Sequence, residues 1–194
     1  MCEIISACGD AMGDWFQTVV GTEVRADSAP AAADRLRAWL IEMGVVAGER
    51  SESVLGGDGM GYAPGANYAR ALAHPAPSLL SLVTNGVDIQ SGRNVAIDPQ
   101  AEWRWRCPSC AAHQTSSEDL LQAIGQWYEG ADAARVFCPT CGHANPIARL
   151  VADPPIACGN LAITFWNWPP LSETFLGEIS RLLGGSITVV CGKL

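Results

Sequence analysis

Four cysteines stand in two close pairs, Cys107-Pro108-Ser109-Cys110 and Cys138-Pro139-Thr140-Cys141, and Gly142 and His143 follow the second. Each Cys-x-x-Cys turn aims two sulfurs at one point. The proline after the first cysteine presets the tight turn, and Gly142 allows a positive φ that lets backbone N–H groups approach sulfur. Two such turns supply four thiolates, the donor set of tetrahedral Zn²⁺ with Zn–S near ~2.3 Å. Soft sulfur also accepts Fe(II) or Cd(II), with zinc the default. Four sulfurs close the shell and leave no position for water, so the expectation is one structural zinc ion per chain. Thiol–disulfide exchange is the competing chemistry, and two nested pairs with proline in both argue against it. His113 and His143 lie beside the turns and could replace one cysteine; otherwise they are polar neighbours. Cys2 and Cys8 could hold a second ion. Cys158 and Cys191 read as small buried hydrophobes.

Elsewhere the residues for chemistry are sparse. There are three histidines, His74, His113 and His143, and no nucleophile elbow, His-Glu-x-x-His or deaminase pattern. The acid pairs Asp10/Asp14 and Glu49/Glu52 read as solvated charges. All but one of the 12 basic residues are arginine, so Lys193 alone could serve as a catalytic or phosphate-binding lysine. The Gly56–Gly65 stretch is a loop by composition and lacks the Gly-Lys-Ser/Thr ending of a phosphate loop. The aromatic tract Phe165-Trp166-Asn167-Trp168-Pro169-Pro170-Leu171 is distinctive. Strand alternation puts Trp166 and Trp168 on one face, opposite Phe165 and Asn167. Trp166 and Trp168, with Trp127 and Tyr128, are therefore the candidate partner-binding residues.

These groups need elements to position them. Residues 16–25 read as a strand. A helix follows, capped by Asp27 or Ser28 with Pro30 in its first turn, and Leu36, Trp39, Leu40 and Met43 form one face. Gly44 stops it, and Val45-Val46-Ala47 begins a second strand. The segment 48–78 is rich in Gly, Pro and Ser, and Leu79–Val83 is apolar. Residues 86–97 alternate around Ser91-Gly92 and read as a β-hairpin. Glu102–Arg106 alternates into the first cysteine turn, where Trp103 and Trp105 would anchor the metal segment to the sheet. Ser116–Tyr128 reads as a capped amphipathic helix between the turns. Residues 161–168 form a strand, Ser172 caps a helix with Phe175, Leu176, Ile179, Leu182 and Leu183 inward, Gly184-Gly185 ends it, and 187–191 is the last strand. Two β-α-β units give an α+β fold, ferredoxin-like or related, with both helices on one sheet face. The expected division is 1–102, the N-terminal half of the α+β domain; 103–149, an inserted metal module; and 150–194, the completing β-α-β unit.

The two cysteine turns resemble the knuckles of a zinc ribbon over residues 103–149. Ribbons usually join their knuckles by short hairpins, whereas a helix is expected here. The whole chain resembles a bacterial α+β protein family with an inserted ribbon, on Gly159-Asn160-Leu161, the tract Phe165–Leu171, and Gly192-Lys193-Leu194. A transporter-ATPase label attached to some members finds no Walker A lysine in this sequence. That resemblance implies a bacterial source and no activity.

The net charge is −8, from 20 acidic and 12 basic residues. Such a balance disfavours phosphate backbones and anionic membranes and favours a basic protein partner. Met1–Cys8 has no basic or long apolar stretch of a secretion signal, and no apolar run approaches the ~20 residues of a membrane span. The reading is a soluble cytoplasmic protein, whose eight cysteines serve metal rather than disulfides. The leading functional expectation is a non-enzymatic zinc-containing protein-binding module, in its narrower form a cytoplasmic inhibitor or immunity protein that neutralises a basic toxin or nuclease. The first alternative is a nucleic-acid-binding or regulatory ribbon using Arg104, Arg106, Arg135 and Arg149. The second is an enzyme or enzyme accessory with a site of no familiar pattern.

Overall fold

The computed structural model describes residues 14–74 and 82–194. Cys2, Cys8, Asp10 and the start of the apolar Leu79–Val83 run lie outside them. In chain order the first half contains β1 (Trp15–Gly21), α1 (Ala29–Glu42), β2 (Val46–Ser51), β3 (Gly61–Pro64) and β4 (Val87–Ala96). The metal segment follows as β5 (Arg104–Arg106), β6 (His113–Thr115), α2 (Glu118–Tyr128), β7 (Arg135–Phe137), β8 (Ala144–Pro146) and β9 (Ala152–Asp153). Then come β10 (Ala157–Trp166), α3 (Glu173–Leu183) and β11 (Ile187–Lys193). Among the described residues, no helix is long and apolar enough to cross a membrane.

The fold is α+β. Six strands form one sheet in the order β11-β1-β10-β4-β3-β2, and every neighbouring pair is antiparallel. β10 and β11 flank β1, so the last unit is a β-α-β crossover split by one strand. β1 and β2 also run parallel to each other, but β10, β4 and β3 lie between them. The first crossover therefore reaches the far edge, and the chain returns as a meander.

Both helices lie on one sheet face. Leu36 and Leu40 of α1 and Phe175 and Ile179 of α3 bury against Val19, Ile163 and Phe165. Trp39 stacks on Phe175 with ring centroids 5.6 Å apart, locking one helix to the other. α3 starts where Ser172 Oγ accepts the Phe175 N–H and stops at Gly184, whose φ of 73° is left-handed. Ser28 occupies the N-cap position of α1 without capping it; its hydroxyl instead donates to the Arg25 carbonyl at 3.1 Å, and Asp27 pairs with Arg25.

Three expectations fail for long-range reasons. Residues 87–96 are one strand, not a hairpin. Asn94 pairs with Gly159 and Ser91 with Leu161, so Gly92 and Arg93 oppose Asn160 alone. Ser91-Gly92 makes a bulge, with Gly92 at φ 113°, because both halves find ladder partners on β10 rather than on each other. Next, the Gly-rich loop ends early, and Gly61–Pro64 pairs with β2 and β4.

Finally, Trp166 and Trp168 do not share a face. Strand β10 ends at Trp166, and Asn167 turns left-handed at φ 57°. Its side chain holds that turn, accepting from the Trp15 N–H and donating to Asp14 and the Thr84 carbonyl. Trp168 is thereby swung under the helices against Phe165, at 5.3 Å between rings and only 2% exposed. Gln17 is buried beneath it, donating to the Trp168 and Pro169 carbonyls and accepting from the Leu171 N–H. That side chain satisfies the backbone of the Pro-Pro corner, where proline offers no N–H of its own.

Candidate metal centre

Each cysteine pair sits at the end of a short hairpin. β5 and β6 pair around the first turn, with Arg106 opposite His113. The Cys107 N–H donates to the Ala112 carbonyl and the Ala111 N–H to the Cys107 carbonyl. β7 and β8 pair around the second, where the Cys138 N–H donates to His143 and the Gly142 N–H to Cys138. The two turns are near copies. Gly142 has φ 71°, as its type predicts, and Ala111 has φ 60° at the equivalent place. A left-handed alanine costs roughly 1–2 kcal/mol, a strain the sequence did not advertise.

The four sulfurs of Cys107, Cys110, Cys138 and Cys141 lie within 4.8 Å of one another. Cys107 to Cys141 is 3.8 Å and Cys110 to Cys138 is 3.7 Å. Sulfurs at the corners of a tetrahedron, each ~2.3 Å from a central ion, are about 3.8 Å apart. The cluster is therefore of the size that a metal ion at its centre requires. Cys107 and Cys138 are buried and Cys110 and Cys141 exposed. Neither imidazole joins the cluster; His113 and His143 both face solvent.

The charge distribution suits a cation. Burial works against a Cys138 thiolate, but the N–H groups of Cys141 and Thr140 and the neighbouring Cys110 and Cys107 thiols outweigh it and hold its pKa down to about 6. Gln114 adds a further donor, with Nε2 at 3.9 Å from its sulfur and 3.2 Å from Thr140 Oγ1. At Cys110 the Ala112 N–H favours the thiolate, yet Cys141, burial and the other two thiols together push its pKa up to about 12. As bare thiols the four share negative charge poorly; a dication in their midst removes that conflict.

Around the cluster lies a second core. Leu120, Ala123, Ile124 and Trp127 of α2 pack with Trp103, Trp105, Val136 and Ile147. Ser117 Oγ caps α2 by accepting the Leu120 N–H at 3.2 Å. The expected anchoring by Trp103 and Trp105 is seen: both are buried, and Val95 of the large-sheet strand β4 and Ile97 just past its end pack on the same cluster. The core also takes in Leu150, Ile156 and Cys158, which lie past residue 149. β9 pairs with β5, so incoming and outgoing chain run side by side. Cys158 behaves as the expected small hydrophobe, its thiol pushed up to about 12 by burial. Cys191 does not: it is buried in β11 but disulfide-bonded, so the expectation that the cysteines serve metal rather than disulfides fails at this position.

The β4 bulge has its own task here. It sends Arg93 to α2, where the guanidinium donates to the Trp127 carbonyl at 2.7 Å, pairs with Asp132 and lies 4.8 Å over the Trp127 ring. A cation at a helix C-terminus satisfies the exposed carbonyls and the dipole together. No local sequence signal marks Arg93 for this role.

The four candidate partner residues do not form one surface. Trp168 and Trp127 are core side chains, the latter 5% exposed. Trp166 is half-buried on the opposite sheet face, 5.8 Å from Phe16. Tyr128 alone is open, at 60% exposure. A polar notch between α1 and the β2–β3 edge holds Arg37, Arg50, Tyr62 and Asp88. Its arginines are engaged by Asp34 and Asp58, and burial, only partly offset by the Gln90 amide, raises the Asp88 carboxyl above its usual range. Comparison with protein-family models, curated proteins and solved structures returns no match to this chain.

Proposed function

We propose that the four cysteines hold one structural zinc ion and that the chain is a non-enzymatic protein-recognition module. In this reading the zinc stabilises a surface rather than performing chemistry, because four thiolates leave no coordination site for a reactant. The supporting observation is where apolar side chains are exposed. Among the described residues, Leu121, Tyr128, Phe137 and Val151 of the metal segment are four of the seven large hydrophobics that stand open to solvent. Large apolar side chains left open on a small module are what a contact surface would use. The narrower form of the proposal is a cytoplasmic inhibitor or immunity protein for a basic toxin or nuclease, in keeping with the net charge of −8.

The test has two parts. Metal analysis of the purified chain should return one zinc per chain, and a value clearly below one with native folding would sink the metal assignment. A partner captured from the native host should be lost with Phe137→Glu and Val151→Glu and kept with Val83→Glu, which is exposed outside the module. Equal capture by all three variants removes the module from the interface.

One observation favours nucleic acid as a second reading. Arg104, Arg106, Arg135 and Arg149 are all exposed, and none makes an ion pair among the described residues. A salt-sensitive mobility shift on RNA or DNA that disappears when these four become glutamine would promote it.

A further inference from the structure

The helix-free face of the large sheet is not flat. Past the bulge of β4 the chain turns back across it. A Cβ on Gly192 of β11 would lie 2.5 Å from the Phe16 ring and 3.1 Å from the Asp98 carboxyl carbon, so only glycine leaves room for this crossing. Between the sheet and the crossing segment lies an open cleft of about 250 Å³, lined by β1, β10 and β4 together with Ile97 and Pro99.

Its chemistry is selective. Phe16 and Trp166 are cross-strand partners that offer two aromatic rings. Thr18 and Thr164 are the next pair, their hydroxyls 3.0 Å apart. One of them donates to the other, which leaves the second proton for an outside acceptor. Gln90 gives one amide proton to Asp88 and keeps the other, whereas Asn94 gives both of its own to the Gln90 and Gly92 carbonyls. Both amide oxygens remain as acceptors. No lining residue carries an ionisable side chain.

An anionic ligand would find no counter-charge in this lining and would meet the Asp88 carboxylate beside Gln90 and the Asp98 carboxylate of the crossing segment. A purely apolar one would leave the hydroxyl and both amide oxygens without partners. The volume lies below that of pockets for drug-sized molecules and suits a single ring system. The geometry points to an uncharged flat heterocycle of nucleobase size, with donors and an acceptor on its edge, as the ligand of this cleft. A free nucleoside and a base within a strand share that chemistry. The net charge of −8 favours the free form.

The experiment titrates the full chain with adenosine, guanosine, cytidine and uridine, followed by calorimetry and by the indole N–H resonance of Trp166. At least one nucleoside should saturate a single site and move that resonance. Gln90→Leu and Thr164→Val should each weaken binding about tenfold, the loss expected for one hydrogen bond; the melting temperature should be unchanged for Gln90→Leu and slightly lower for Thr164→Val, which also removes the bond to Thr18. Gln90 is exposed, so the first variant also guards against a folding artefact. The matching 5′-monophosphate should bind more weakly than its nucleoside. No saturation by any of the four at millimolar concentration would overturn the inference, as would binding indifferent to both substitutions. Tighter binding of a single-stranded decamer than of the nucleoside would overturn the free-ligand form. Zinc content is measured independently of nucleoside binding, and the polar lining groups Thr18, Gln90 and Thr164 lie on the large sheet, so the two proposals fail separately.

Discussion

The large sheet and the metal segment reach stability by different routes. The sheet has strands of up to ten residues and buries Leu36, Leu40, Ile163, Phe165, Trp168 and Ile179 between two helices and one face. The metal segment has five strands of two or three residues and a single 11-residue helix. Strands that short do not persist alone. Their core is real, yet two of its members are Cys107 and Cys138 of the proposed metal cluster. Apolar area suffices for one region. In the proposed reading, the other relies on the ion to tie two hairpins together.

Chelation, or Cys110→Ser, should produce the largest effect. Structural zinc in small thiolate sites contributes on the order of 10 kcal/mol, so amide protection should collapse over residues 103–153 and persist in β1, β10 and β11. Hydrogen exchange with and without chelator checks this, and simultaneous loss in both regions would break the comparison. Phe165→Ala should reverse the pattern. It should cost about 3–5 kcal/mol in denaturant melts while zinc content stays the same.

Arg93→Ala probes the junction. It removes a helix-end hydrogen bond, an ion pair and a ring contact, and should cost about 2 kcal/mol. Exchange should quicken in α2 before it changes in β10. Ser117→Ala should cost about 1 kcal/mol through the lost α2 cap, readable as a lower melting temperature for the metal segment alone. The smallest effects should have opposite signs. Gly142→Ala should weaken zinc retention, and Ala111→Gly should strengthen it, each by about 1 kcal/mol in competition with a chelator. Equal signs would mean that the two turns are not equivalent.

The parts that were legible in the sequence are the local ones. The cysteine spacing brings four sulfurs together because each turn is a four-residue event. The helices 118–128 and 173–183 follow from Ser117 and Ser172, from their apolar periodicity and, for the second, from Gly184. What stayed hidden depends on partners far along the chain. Ser91-Gly92 suits a turn or a bulge equally well, and only the ladder with β10 decides. Trp168 follows Trp166 by two residues, so alternation puts them together, but one left-handed Asn167 held by Trp15, Asp14 and Thr84 reverses the outcome. Gln17 and Arg93 carry no local mark at all. Their roles exist only once the Pro-Pro corner and the end of α2 have been brought beside them.

The pairing of Trp105 with Ala152 and Arg104 with Asp153 has a consequence for how such a chain can be rebuilt. The metal segment leaves and rejoins the sheet through two adjacent antiparallel strands, like a branch on a single stem. A graft cut across that stem would join neighbouring ends, and the ladder of the parent sheet would keep its register. The stem thus makes the segment exchangeable: binding loops of other lengths could be set on the same scaffold, provided a replacement reproduces or does without Arg93 and covers Val95, Ile97 and Cys158, which pack on the segment's core.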